Sequence, residues 1–261
     1  MAKGVSIKFR SYSETIPRLL ELINLSKELK KYSKIVLKPY LREAEGEKTL
    51  STPVAFVEQV LRFCIKNKSP VAEIFIAEGA DGADTMELFN KLGYTKLAER
   101  YSVGLIDLNM AEAEPIRQPD FMKFSEIIYP KILKDSFVIS LPVLLPDEEA
   151  GFIGALSNML GAFPSKYYKG FFSKRKSKIR KWAIKYSIHD ILKCKMPDFT
   201  IIDSSEKGVI LAGIPHDTDK QAAKLLGLDW KDVGYLRLVE ENFLEKPKEQ
   251  KSEEIPNVLS S

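Results

Sequence analysis

The chain has 261 residues, 44% of them hydrophobic and 29% charged, with a formal net charge of +4. That composition can bury a core, and it excludes collagen, coiled coil and a chain disordered throughout. No apolar run approaches the roughly 20 residues that a membrane span needs. Two cysteines, Cys64 and Cys194, cannot build a disulfide framework or a cysteine-only metal cluster, and two histidines, His189 and His216, leave little room for a His-rich zinc site. No apolar stretch follows Lys3, so a cytoplasmic protein is expected.

In chain order, Val5–Phe9 alternates like an edge strand, and 15–29 has the broad apolar face of one helix. Residues 33–37 read as a short buried strand, stopped at Lys38-Pro39 because proline cannot donate to a ladder. Thr52 and Pro53 look like an N-cap and a first-turn proline for a helix with Val57, Val60, Leu61 and Cys64 on one face. Residues 71–77 form the next strand and run into the turn Glu78-Gly79-Ala80-Asp81-Gly82. Asp84 with Glu87 resembles a capping box for a helix closed by Gly93.

Residues 102–108 are strand-like, 110–135 an inserted segment with a helix over 124–133, and 137–141 a strand stopped by Pro142. The pattern then predicts a helix over 150–160 ending at Gly161, a basic stretch, and a short helix at 187–193. Strands follow at 199–202 and 209–212, then a helix over 217–226 closed by Gly227, with Asp217 as its N-cap. The connections suit crossovers rather than hairpins. The fold class expected is therefore α/β, a largely parallel sheet flanked by helices, in one domain over 1–244. Residues 245–261, charged and poor in large apolar side chains, read as a disordered tail.

Ligands in open α/β sheets bind beyond the carboxyl ends of the strands. Lys38, Glu78, Asp107 with Asn109, and Asp203 fall at those ends. Together they suit a small anionic ligand or a divalent cation, with solvated turns and caps as the alternative use of such residues. Asp217 and Asp219 offer a second, weaker cation pair, and His216 reads as a solvent-facing loop residue. The glycine-rich turn lacks the Gly-Lys-Ser/Thr ending of a P-loop. Cys64 reads as inert packing, and Cys194 as a structural thiol, with a pKa lowered by the charges of Lys193 and Lys195 as the alternative.

Residues 166–195 carry eleven cations against one acid, Asp190, interleaved with Tyr167, Tyr168, Phe171, Phe172, Trp182 and Tyr186. Cations with aromatics suit nucleic acid, and Lys174, Arg175, Lys176, Lys178, Arg180 and Lys181 are the candidate contacts. An anionic membrane surface or an acidic partner would use the same ingredients. A solvated arm anchored by its aromatics is the bland alternative.

Several segments recur together in one order: Ile35-Val36-Leu37-Lys38-Pro39, Ser51-Thr52-Pro53, Ala77-Glu78-Gly79, Leu105-Ile106-Asp107-Leu108-Asn109, Val138-Ile139-Ser140-Leu141-Pro142, 154–161, 197–203 and 222–227. Spanning roughly residues 33–240, the set resembles the domain-of-unknown-function family 362, often described as iron–sulfur-centre-like proteins. The resemblance implies the α/β fold and a basic pocket for an anionic substrate. Departures imply an altered pocket. Tyr40 stands where members carry Asn after Lys-Pro, Ser157 stands where they carry Lys, and acids at Asp147, Glu148 and Glu149 replace a Lys-x-Lys-Thr-His type motif. The cysteine-rich part of many members is missing, so no iron–sulfur cluster is expected. Lys38 would then contact the anion, Asn158 would orient it, and Glu78, Asp107 and Asp203 would contact hydroxyls or a divalent metal. Any chemistry would be acid–base work by a carboxylate. Oligomeric state and substrate have no signature.

Overall fold

The computed structural model describes residues 4–43 and 50–244. The expected tail, 245–261, lies outside them. Along the chain run β1 (Val5–Lys8), α1 (Tyr12–Leu22), α2 (Leu25–Leu29), β2 (Lys34–Pro39), α3 (Val54–Asn67) and β3 (Glu73–Glu78). Next come α4 (Thr85–Lys91), α5 (Tyr94–Tyr101), β4 (Gly104–Asp107), β5 (Ala113–Ile116), β6 (Ile127–Pro130), α6 (Lys131–Lys134) and β7 (Phe137–Leu141). The remainder is β8 (Leu145–Asp147), β9 (Gly151–Ile153), a 3₁₀ turn (Ser157–Ala162), α7 (Ser165–Tyr168), a 3₁₀ turn (Ser177–Arg180), α8 (Ile184–Cys194), β10 (Phe199–Ser204), β11 (Val209–Gly213), α9 (Pro215–Leu225) and α10 (Gly234–Val239).

Seven strands form one sheet in the order β1-β11-β10-β7-β2-β3-β4. The run from β10 to β4 is parallel, and β11 and β1 are added antiparallel at one edge. The expected α/β fold in a single domain is present. Strand alternation sends Ile35, Leu37, Ile74, Ile76, Phe137 and Ile139 to one face, under α1, α3 and α5. Val36, Ala77, Val138, Ile202 and Leu211 go to the other, under α8, α9 and α10. Both faces are covered, which is why the central strands read as unbroken apolar runs.

The differences from the sequence expectations have local causes. The single helix over 15–29 is two, because Asn24 turns left-handed at φ 55°; Asn tolerates that conformation better than most residues. Of the helix expected over 124–133 only the end is helical, as α6; before it runs β6, paired antiparallel with β5 from Ala113↔Pro130 to Ile116↔Ile127. The helix over 150–160 is β9 and a 3₁₀ turn, since Gly151 lies at φ 92°. Connections are not all crossovers: β10 and β11 form a tight hairpin through Ser205–Lys207 and left-handed Gly208. The cap of α3 is Pro53, and Thr52 instead donates to the Leu141 carbonyl (2.7 Å) while accepting from the Tyr40 amide (2.9 Å), lacing β2 to β7. Asp84 does cap α4, accepting from the Glu87 amide at 2.9 Å.

Asp190 fastens the inserted segment. It is fully buried, and it accepts the amides of Met122, Lys123 and Phe124 at 2.8, 2.8 and 3.0 Å, and His189 Nδ1 lies 2.8 Å away. Burial works against its charge, but His189 and the three amides outweigh burial and hold the carboxyl below its usual range. Removing it orphans three donors together. Asp190→Ala is therefore expected to cost about 3 kcal/mol or more in urea unfolding, with hydrogen exchange at 122–124 faster than elsewhere. A cost under about 1 kcal/mol would contradict the clamp.

Candidate binding site

The site lies at the carboxyl ends of β2 and β3. Val36 and Lys38 share a strand face, so the last residues of β2 carry an ammonium onto the side where the 157–162 turn packs. Lys38 is fully buried, and its Nζ donates to Glu78 Oε2 (2.5 Å), the Asn158 carbonyl (2.6 Å) and Asn158 Oδ1 (3.1 Å). All three of its protons are used. Asn158 in turn donates to the Lys38 carbonyl (3.1 Å) and to Ser140 Oγ (3.0 Å). Burial pushes Lys38 down and Glu78 up from their usual ranges, and each partner's charge works against that shift.

A second buried lysine arrives from the basic segment. Lys176 is fully buried, and its Nζ donates to the carbonyls of Gly79 (2.7 Å) and Gly161 (3.1 Å). Burial lowers it to about 8, with Glu78 and Asp81 pulling it back. Two glycines let the segments that supply these carbonyls pack closely around Lys38, Glu78 and Asn109. A methyl on Gly161 would lie 2.7 Å from Lys38 Nζ, and one on Gly79 would lie 3.0 Å from Asn109 Oδ1. Gly161 is therefore a close-approach residue rather than a helix stop.

Glu78, Asn158 and Lys176 border a cavity of about 380 Å³, together with Tyr40, Arg42, Asp81, Asp147, Glu149, Gly161 and Arg175. Arg180 closes one side, bonding Asp81 (2.7 Å) and Glu149 (2.8 Å) at once. Beneath the floor, Asp219 is fully buried and accepts the amides of Ala155 (2.6 Å) and Leu156 (3.0 Å), supporting the turn that carries Asn158. Burial raises its pKa to about 7, against the pull of those amides.

The structure thus brings Lys38, Glu78 and Asn158 together. Asp107 is half-buried and outside the cavity, accepting the Asn109 amide at 2.8 Å. Asp203 alternates with Ile201 onto the opposite face of the sheet, where Tyr12 donates to it at 2.7 Å. Lys176 was placed by its sequence context among nucleic-acid contacts, but burial puts it here, and Arg180 is engaged in the two ion pairs. Lys174, Arg175, Lys178 and Lys181 are exposed.

Other expectations change too. Asp217 does not cap α9, which Ile214 precedes and Pro215 opens. Asp219 faces amides rather than a cation, and His216 is buried 3.2 Å from Glu240 rather than facing solvent. Burial raises both thiols to about 12, which overrides the lysines flanking Cys194. Among the described residues, no three His, Cys, Asp or Glu side chains converge to hold a metal ion. No helix among them is long and apolar enough to cross a membrane.

The sequence profile of a domain of unknown function (DUF362) matches residues 35–212. The chain belongs to the DUF362 family. The matched span includes every residue of the Lys38–Glu78–Asn158–Lys176 cluster. No curated protein matches the sequence. Among solved structures, this DUF362 chain is similar to the lactate racemase apoprotein from Thermoanaerobacterium thermosaccharolyticum, at 15% identity and TM-score 0.54, over 87% of this chain and 58% of that one. It is also similar to a structural-genomics protein from Thermotoga maritima, at 13% identity and TM-score 0.49, over 86% and 61%. The racemase likeness is one of fold, and the chain spans little more than half the racemase's length.

Lys38→Met strands the Glu78 charge in the interior and is expected to cost about 3–5 kcal/mol. Lys38→Met with Glu78→Leu is expected to recover much of that in denaturant melts, whereas additive losses would argue against a coupled pair. Asp219 gives a pH test. Its folded pKa of about 7 exceeds the ordinary 3.8, so its contribution is full below pH 4 and is lost as pH rises to 7. Relative to Asp219→Asn, wild type is expected to lose up to about 4 kcal/mol across that window and nothing further above it. A flat difference would remove the buried carboxylate from the account.

Proposed function

We propose that the chain binds a small organic anion in the cavity at the ends of β2 and β3, with Lys176 as its ammonium contact. The observation that carries this is the coordination of Lys176. An ammonium has three protons, and the two carbonyls of Gly79 and Gly161 take only two, on a side chain that borders the cavity. A buried cation with an open donor favours a negatively charged guest, which would restore the charge lost to desolvation. Arg42 and Arg175 at the rim add positive charge, and Asp81, Asp147 and Glu149 there restrict the guest to one small anionic group. Lys38 supports this site without touching the guest, since Glu78 and Asn158 saturate it.

One fold neighbour is a lactate racemase, so small carboxylates are the first probes: lactate and malonate, with inorganic phosphate beside them. Burial lowers the pKa of this ammonium, with Glu78, Asp81 and Asp107 working against that and Lys38 adding to it. At least one probe is expected to raise the melting temperature at pH 7, with the gain fading above pH 8 as Lys176 loses its proton. Lys176→Met is expected to abolish the gain. No shift with any of the three probes, or an equal shift in Lys176→Met, would overturn the proposal.

A further inference from the structure

From Ala150 through His189 the chain holds no acid, while nine cations fall between Lys166 and Lys185. The structure divides them. Lys176 is withdrawn into the cavity and Arg180 into its ion pairs. Lys169 and Lys174 border a groove whose other wall carries Asp84 and Glu87. Lys166, Arg175, Lys178 and Lys181 are exposed, and none has a carboxylate partner among the described residues.

Between α7 and the 177–180 turn, the chain makes a short excursion whose ends meet, Gly170 lying against Ser177. Just past Gly170 stand Phe171 and Phe172, 96% and 98% exposed. Tyr167 and Trp182, on either side of the excursion in sequence, are exposed at 42% and 62%. Exposing two neighbouring phenyl rings so completely is unfavourable in water unless something covers them.

The choice of aromatics is informative. Tyr168, whose hydroxyl accepts the Ile128 amide at 2.9 Å, is turned inward. The two rings left most exposed, Phe171 and Phe172, have no hydrogen-bonding group at all. Phe171 and Phe172 are T-shaped, centroids 4.8 Å apart and planes at 81°, so the edge of one ring covers a face of the other. Stacking of successive bases needs free ring faces along a groove. An apolar tip in a stretch of exposed cations that have no carboxylate partner among the described residues matches instead the boundary between acyl chains and anionic headgroups.

We infer that this loop docks the protein peripherally on a membrane rich in anionic lipid, with Phe171 and Phe172 entering the acyl boundary and Lys166, Lys178 and Lys181 meeting the headgroups. The docking is independent of the cavity's ligand. Because Lys176 leaves the same loop to line the cavity, the membrane would lie close to one wall of the binding site.

The test is co-sedimentation of the full chain with phosphatidylcholine vesicles, with and without phosphatidylglycerol, alongside a single-stranded oligonucleotide in a parallel shift assay. Binding is expected only to the phosphatidylglycerol vesicles, weakening as salt rises. Phe171→Ser with Phe172→Ser is expected to lower it about tenfold or more, and Lys178→Gln with Lys181→Gln by about tenfold, with unfolding midpoints unchanged because all four side chains are exposed. Failure to sediment with anionic vesicles would overturn the inference. So would equal binding to neutral vesicles, undiminished binding by the phenylalanine variant, or loss of oligonucleotide binding in that variant without any vesicle binding in wild type.

Discussion

Burying charge is the constraint around which the centre of this protein is arranged. Lys38, Glu78 and Lys176 are almost completely removed from water. Each would be costly there alone, and the surroundings are organised to offset that cost. Backbone carbonyls of residues 79, 158 and 161 point at the two ammoniums. Gly161 has no side chain because an added carbon would run into the pair. Thr52 and Thr200 tie their neighbours to the end of β7, and Ser140 holds Asn158, so that the acceptors stay where the ammoniums need them.

The core was legible in the sequence because its signals are local. A strand buried on both faces leaves an unbroken run such as Ile35-Val36-Leu37, and Asp84 with Glu87 announces its helix within four residues. Lys38, Glu78 and Asn158 were legible for a related reason, since a polar residue ending an apolar strand must be used or solvated. Lys176 was hidden. It stands amid cations that are exposed, and only the chain's return across the cavity separates it from them. A lysine flanked by small or polar neighbours and followed by Ile179, which is buried, offers at most a faint hint. Asp203 misled because its strand ends at the right level of the sheet while alternation sends its carboxylate to the other face, against Tyr12. The errors at 124–133 and 150–160 arose where short apolar runs fit either period and tertiary pairing decides.

The basic segment links three parts of the molecule. Its amide at residue 176 binds Asp81, its Lys176 ammonium reaches the β3 turn, and Arg180 joins that turn to Glu149. One wall of the cavity is therefore irregular chain held by charge rather than by regular secondary structure. Such walls tend to open at lower free energy than strands and helices do, which suits the proposed entry of a small anion. The strand ends opposite are rigid by comparison, fixed in a sheet covered on both faces.

The order of strands has a consequence for how the molecule comes into being. β1 occupies an edge and, among the described residues, pairs with β11 alone, joining Val5–Lys8 to Val209–Ala212. On a ribosome the first strand emerges long before its partner has been synthesised, and β10, which bridges β11 to the sheet's centre, is late as well. The nascent chain can assemble β2, β3, β4 and β7 in sequence while β1 waits as an unpaired edge. The sheet is sealed only once β10 and β11 exist, when its first strand meets its last.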